Sequence, residues 1–412
     1  MRSVRQTGMG MMKRMGSFAR NERQTGLLML VMALAGLLAS NIPGASQIYR
    51  LVSDATTNLP LPHLDLSVSQ WVQDGLLTLF FLVIGLDLRQ EMASGFLKNP
   101  RNAATPIFGA IGGVIIPSLL FLAINLSSPS TSHGWTIPTA TDIAFSVTVL
   151  SLASKHVQPA VRAFLLTLAT VDDVIGILLI AVVYSHPSSA WALLALAICL
   201  SAWFLLIRMR RPFWPLLILV GVGAWYAMIV AGIHPTLSGV AIGLLTPALP
   251  IHQEDSPRAE RYRRKLSPLS ALIALPLFAF FAMGIPLSEI SINTIASPVF
   301  LGVVTGLVVG KPLGIMIAVK LCGFAGLRVG NATRPMQLFG VSQLCGIGFT
   351  VSFLMSGLAF NEQSIVDTAR FAVLVGSLIA CLLGVLTLRI DERRRPGSSR
   401  DGRGSGSVRQ VR

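Results

Sequence analysis

"TLATVDDVIGILLI", residues 167–180, decides how this chain is read. Apart from Asp172 and Asp173, the stretch has the composition of a helix in the middle of a membrane. A carboxylate at that depth costs roughly 2.5–3.5 kcal/mol on insertion scales, and two adjacent ones also repel each other. Neighbouring residues of an α-helix point about 100° apart. The two acids therefore cannot clamp one ligand from the same angle. One can face a partner on another helix while the other faces a cavity. Desolvation and mutual repulsion both act against two buried negative charges. Such a pair holds protons until a cation replaces them, and that is the chemistry of exchange.

The 412 residues around this stretch are 53% hydrophobic and only 12% charged, where soluble domains carry about 25% charged residues. The fold class expected is an all-α integral membrane protein. Apolar stretches near the ~20 residues that cross a bilayer recur at 27–44, 74–93, 104–125, 135–154, 159–184, 190–207, 213–231, 233–250, 267–287, 298–319, 337–359 and 367–388. They predict about 12 transmembrane helices. The first, "GLLMLVMALAGLLAS", reads as a retained helix because many spans follow it. A membrane domain over 27–390 thus lies between basic tails at 1–26 and 391–412, whose composition predicts disorder. The loop at 45–70 has room for a short hairpin, and "IHQEDSPRAERYRRKLS" (251–267) is the other long polar connection.

The net charge of +15 is distributed as topology, not as a binding patch. Lys and Arg fill the two tails and every second loop: Arg89, Lys98 and Arg101; Lys155 and Arg162; Arg208, Arg210 and Arg211; Arg258 to Lys265; Lys320, Arg328 and Arg334. Only Arg50 and Arg370 fall on the opposite side, and Lys311 lies within a span. The positive-inside rule then predicts an inner-membrane protein with both termini cytoplasmic. Its partner is the lipid bilayer, with no nucleic acid. The four cysteines (Cys199, Cys322, Cys345, Cys381) show no paired spacing, so no disulfide or zinc site is implied. No Walker or dinucleotide motif is present, and the expectation is a transporter without cofactor, not an enzyme.

Asp142 is a third acid in mid-span, with Asp74, Asp87 and Glu91 towards the ends of the second span and Lys311 deep in "VVGKPLGIMI". Such residues can simply pair to lock helices together, but three aspartates and a lysine at depth point to an ion pathway. A second clue is "GWTIPTATDIAF", 134–145, where Pro138, Thr139 and Thr141 interrupt a span. Pro removes a backbone donor, and broken backbone at membrane depth is tolerated only inside protein or around a watery cavity. "LCGIGFTVSF", 344–353, interrupts a late span with Gly346, Gly348 and Thr350. Small residues also serve close helix packing, yet paired breaks in two halves mark transporter binding sites.

Taken in order, "FFLVIGLDLRQEM", "IPTATDIAF", "LATVDDVIGILLIA", "GIHPTLSGV", "LPLFAF", "GKPLGI" and "CGIGFT" make the chain resemble the bacterial sodium/proton antiporter family NhaA over about 27–390. The resemblance implies twelve helices with an inverted-repeat core, 104–184 and 298–388, and two unwound helices that cross. It implies that Asp172, Asp173 and Thr141 bind sodium or lithium and exchange protons, Asp173 as the more exposed ligand. Asp172 would pair with Lys311, and Asp142 and Lys311 would compensate charge at the crossing. Gly346, Gly348 and Thr350 would form the second unwound segment. Asp87, Glu91 and His234 would belong to a pH-response cluster, altered here by Asp87, Gln90, Arg263, Arg264 and Ser267 where the family usually has other residues. His234 taken alone reads as a hydrogen-bonded structural residue. The implied function is electrogenic exchange of sodium for protons in pH and sodium homeostasis, with a homodimer possible.

Two other readings compete. A sodium-coupled organic-anion symporter of related fold need not place two acids side by side. An intramembrane aspartyl protease needs its acids on different helices and leaves Lys311 unexplained.

Overall fold

In lipid every backbone N–H and C=O must find its partner within the protein, which leaves helices as the economical solution for this chain. The computed structural model describes residues 22–57, 62–95, 98, 100–154, 157–327, 329 and 333–394. Among the described residues the only β structure is an antiparallel bridge, Thr56 to Ser67, in the loop where a hairpin was expected. The rest of both tails, with Lys155 and Arg328, lies outside the described residues. The first helix, α1 (Glu22–Asn41), already begins within the expected tail, and the last runs on to Arg393.

After α1 come a short amphipathic helix, α2 (Ala45–Ser53), then α3 (Val68–Ser94) and α4 (Pro100–Ile124). A bent pair follows, the 3-10 helix α5a (Pro129–Thr139) and α5b (Ile143–Ala153), turned by 52° at the break. Then come α6 (Pro159–Val183), α7 (Ala190–Leu206), α8 (Trp214–Ala231), α9 (Leu237–Leu245) and α10 (Arg258–Ala282). The chain ends with α11 (Pro298–Phe324), a second bent pair, α12a (Pro335–Leu344) and α12b (Phe349–Ala359), turned by 47°, and α13 (Gln363–Arg393).

Eight of these helices are long and apolar enough to cross a membrane, and up to 10 spans result if each bent pair counts as one. The two remaining expected spans fall short. Segment 190–207 forms α7, a 17-residue apolar helix. Segment 233–250 is corrected more severely, because only the nine residues of α9 are helical, a length of about 14 Å at 1.5 Å per residue. Gly232, left-handed at φ 74°, ends α8, and the chain turns through Pro235 before α9. Thr246 is extended on the far side, just before Pro247. What α9 lacks in length it recovers in packing. Gly239 and Gly243 lie against the backbone of α3 around Thr78 and Gly85, where a Cβ would collide.

The halves α4–α5–α6 and α11–α12–α13 repeat one order: span, broken span, span. Their first helices pack together through small residues, as membrane helices do. Along α11, Gly302 meets Phe121, Gly310 meets Pro117, and Gly314 meets Gly112. Rising numbers on α11 thus meet falling numbers on α4, so the two helices run antiparallel and the second half is inverted relative to the first. Beneath the breaks, Phe121, Ile137, Leu307, Phe353 and Val373 belong to one buried apolar cluster drawn from both halves.

Candidate functional site

Each break follows from its own residues. Pro138, without an N–H, sits in the last turn of α5a, and residues 140–142 continue extended, with ψ of 151° at Ala140 and 105° at Asp142. In the second half the chain unwinds over Cys345 to Gly348 between α12a and α12b. Gly346 and Gly348 serve close approach there, not positive φ. A Cβ on Gly346 would stand 2.9 Å from the Ala380 methyl, and one on Gly348 would stand 3.0 Å from the Ala140 carbonyl.

The two unwound segments cross and bond. Asp142 N–H donates to the Ile347 carbonyl at 2.6 Å, and the Thr141 hydroxyl donates to the Cys345 carbonyl at 2.8 Å. The Asp142 carboxylate is 4% exposed and caps two helices at once. One oxygen accepts from Phe145 N–H of α5b at 3.1 Å, the other from Thr350 N–H of α12b at 3.3 Å. A helix N-terminus carries about half a positive charge, so one carboxylate faces two such ends. Ser377 of α13, which nothing in the sequence singled out, accepts from the freed Gly348 N–H at 3.2 Å.

Asp172 and Asp173 lie in the middle of α6. The Oδ2 of Asp172 is 2.7 Å from Nζ of Lys311, and neither side chain is exposed. Lys311 also donates to the Thr139 carbonyl, at the open end of α5a. It follows a wide π turn over Gly306–Gly310 and precedes Pro312, which has no N–H to close an ordinary turn; such π segments are frequent at functional sites. The other Asp172 oxygen, Oδ1, is buried without a hydrogen-bond partner. Thr141 lies within electrostatic reach of Asp172. Asp173, one residue on, is half-buried, and among the described residues it accepts no hydrogen bond and forms no ion pair. Asp172, Asp142 and Lys311 are charged groups that act on it. The site therefore offers one unpartnered oxygen of Asp172, the whole carboxylate of Asp173 and the lone pairs of Thr141. Oxygen ligands of this kind suit a hard cation. No group of three His, Cys, Asp or Glu able to hold a metal occurs among the described residues.

The three residues read as one pH-response cluster are not together. Asp87 and Glu91 lie in the last turns of α3, where Asp87 pairs with Arg263 of α10 at 2.9 Å. His234 lies in the turn between α8 and α9. Its Nε2 is 3.6 Å from Asp74 Oδ1, and its Nδ1 is 2.6 Å from the Thr236 hydroxyl. Asp74 and Asp87 are thirteen residues apart on α3, about 20 Å along a helix. His234 thus lines a different space, a polar cavity of about 750 Å³ shared with Asp54, Asp74, Gln73 and Arg370.

Residues 16–388 match the family model described as Na+/H+ antiporter 1. A protein of Bifidobacterium adolescentis named Na(+)/H(+) antiporter NhaA is 44% identical over 395 residues, covering 91% of this chain and 87% of its own length. Proteins of the same name in Bifidobacterium longum and Mycolicibacterium smegmatis are 44% and 40% identical. Each covers 91% of this chain, and 84% and 88% of its own length respectively.

Proposed function

The chain belongs to the Na+/H+ antiporter 1 family, and from that premise we propose that it exports sodium, or lithium, in exchange for protons across a bacterial inner membrane. The observation that carries the reading is the buried Asp172, paired with Lys311 through one oxygen and unpartnered at the other, next to the free carboxylate of Asp173. Sodium is taken by Asp173 and the spare oxygen of Asp172, with Thr141 and water completing the oxygen shell. Protons compete for the same carboxylates. Each charge-compensated state then permits the change of access, and two titrating acids allow more protons than sodium ions to move per cycle.

In this reading Asp142 offsets the positive ends of α5b and α12b, while Lys311 offsets the negative end of α5a. Gly346 and Gly348 let the unwound strands pass close enough for Thr141 to reach across. The Asp87–Arg263 pair, where α3 meets α10, belongs to the cytoplasmic side with both termini, as the positive-inside pattern requires. The relatives carry an antiporter's name, and the symporter reading has no comparable support.

The test is sodium-driven proton movement in everted membrane vesicles, read as dequenching of a pH dye across pH. Dequenching on addition of sodium or lithium, with an apparent affinity that weakens as pH falls, is the expected result. Vesicles with the inserted protein that show no cation-driven proton movement at any pH overturn it.

A further inference from the structure

A broken helix leaves carbonyls at its C-terminal end with no following turn to bond them, and at membrane depth water is a poor substitute. At this crossing each open end takes its donors from the opposite half. The carbonyl of Ile137 accepts from the Ser352 hydroxyl at 2.7 Å, and that of Thr139 from Lys311. The carbonyl of Leu344 accepts from the Ser146 hydroxyl at 2.8 Å, and that of Cys345 from Thr141 at 2.8 Å. Thr141 and Lys311 already belong to the proposed ion site. The two serines do not.

Ser146 and Ser352 are wholly buried. Each is the fourth residue of the helix after its break, in "DIAFS" after Asp142 and "GFTVS" after Gly348. A serine inside a helix ordinarily returns its hydroxyl to its own i−4 carbonyl, as Ser342 does to Leu338 and Ser356 to Ser352, both at 2.8 Å. Ser146 and Ser352 reach across instead, at equivalent places in the two halves.

We infer that Ser146 and Ser352 are positioning residues, a reciprocal clasp in which each post-break helix holds the pre-break end of the other half. The carbonyls they grip lie beside the ones that matter to the site. Ile137 stands two residues before Thr139, whose carbonyl shares Lys311 with Asp172, and Leu344 stands next to Cys345, which holds Thr141. Releasing either grip lets Lys311 or Thr141 drift from the carboxylates. In S146A the Leu344 carbonyl keeps a second donor, Ile347 N–H at 3.1 Å, so the loss there leaves no bare carbonyl. The inference rests on exchange at Asp172 and Asp173.

Wild type, S146A, S352A, S146T and S352T are compared in everted vesicles, with inserted protein quantified. Each alanine variant is expected to raise the apparent KM for sodium by about three- to tenfold, the equivalent of one neutral hydrogen bond. The maximal rate changes less, and the threonine variants, which keep a hydroxyl, stay near wild type. Unchanged KM in both alanine variants overturns the clasp, as does equal impairment by threonine and alanine, which would indicate packing alone. Deuterium exchange of the amides of residues 345–350 is followed in the same membranes. Faster exchange in S146A than in wild type supports the clasp, and unchanged protection overturns it, whatever the transport result. An inactive wild type would instead count against the exchange reading.

Discussion

At the first break the open carbonyl of Thr139 is held by the ammonium of Lys311 and the following helix is capped by the carboxylate of Asp142. At the second break the open carbonyl of Cys345 is held by the hydroxyl of Thr141, and the capping position is Gly348. The two halves therefore repeat a backbone path but not its electrostatics. Serine hydroxyls close both breaks in the same way, whereas the second break has no charged residue of its own and borrows the carboxylate of Asp142 from the first. Through Lys311 the first break is also tied to Asp172. In the proposed exchange, a proton or cation arriving at Asp172 would change what Lys311 must balance, and the effect would reach α5a directly. The second break would receive it through the crossing, by way of the bond that Asp142 N–H donates to the Ile347 carbonyl and the one that Thr350 N–H donates to the Asp142 carboxylate.

The largest effect should come from removing the ionisable groups themselves. In Asp172→Asn and Asp173→Asn the amide keeps the shape but cannot release a proton, and sodium-driven dequenching is expected to fall by more than about tenfold with insertion unchanged. Wild-type rates in both would detach the ion site from the charged break and dissolve the comparison.

Next comes Lys311→Ala, which leaves Asp172 buried and unpaired. Breaking such a pair costs about 3–5 kcal/mol, to be read as lost thermal stability in detergent. The abandoned carboxylate can shed its charge by taking up a proton, so the loss should shrink as pH falls. Lys311→Gln combined with Asp172→Asn removes both charges and should regain part of the stability. Equal stability of wild type and Lys311→Ala at every pH would mean that charge does not distinguish the two breaks.

A smaller loss is expected at the neutral break. Thr141→Val takes one hydroxyl from the Cys345 carbonyl, at about 1 kcal/mol for a neutral hydrogen bond. Measured by the same thermal assay, a loss as large as that of Lys311→Ala would show the breaks to be energetically equivalent. Smallest of all is Arg263→Gln. Its partner Asp87 and Arg263 itself keep 42% and 43% of their side-chain surface exposed, and exposed pairs contribute below about 1 kcal/mol. Its stability should match wild type, while the pH at which exchange is half-maximal shifts and the maximal rate persists. Abolished exchange would carry the site out to α3 and α10.

The features visible in sequence were those whose cost is local. Asp142, Asp172, Asp173 and Lys311 stand out because each is expensive in lipid wherever its partner lies. Pro138 with the threonines after it, and Gly346 with Gly348, stand out because they interrupt a helix whatever packs around them. Those residues, with the apolar spans, were enough for an all-helical membrane protein with two broken helices. Tertiary structure alone decided the pairings. His234 went to Asp74 and not to Asp87, α9 stopped after nine residues against α3, and one oxygen of Asp172 was left unpartnered. Ser146 and Ser352 read as ordinary helix serines until the opposite half was in place, and Ser377 until α13 lay beside the second break. The physical reason is that a buried charge or a missing N–H carries its penalty in its own residue. A hydrogen bond across the crossing, by contrast, joins segments some two hundred residues apart, and which donor reaches which carbonyl depends on the packing between them.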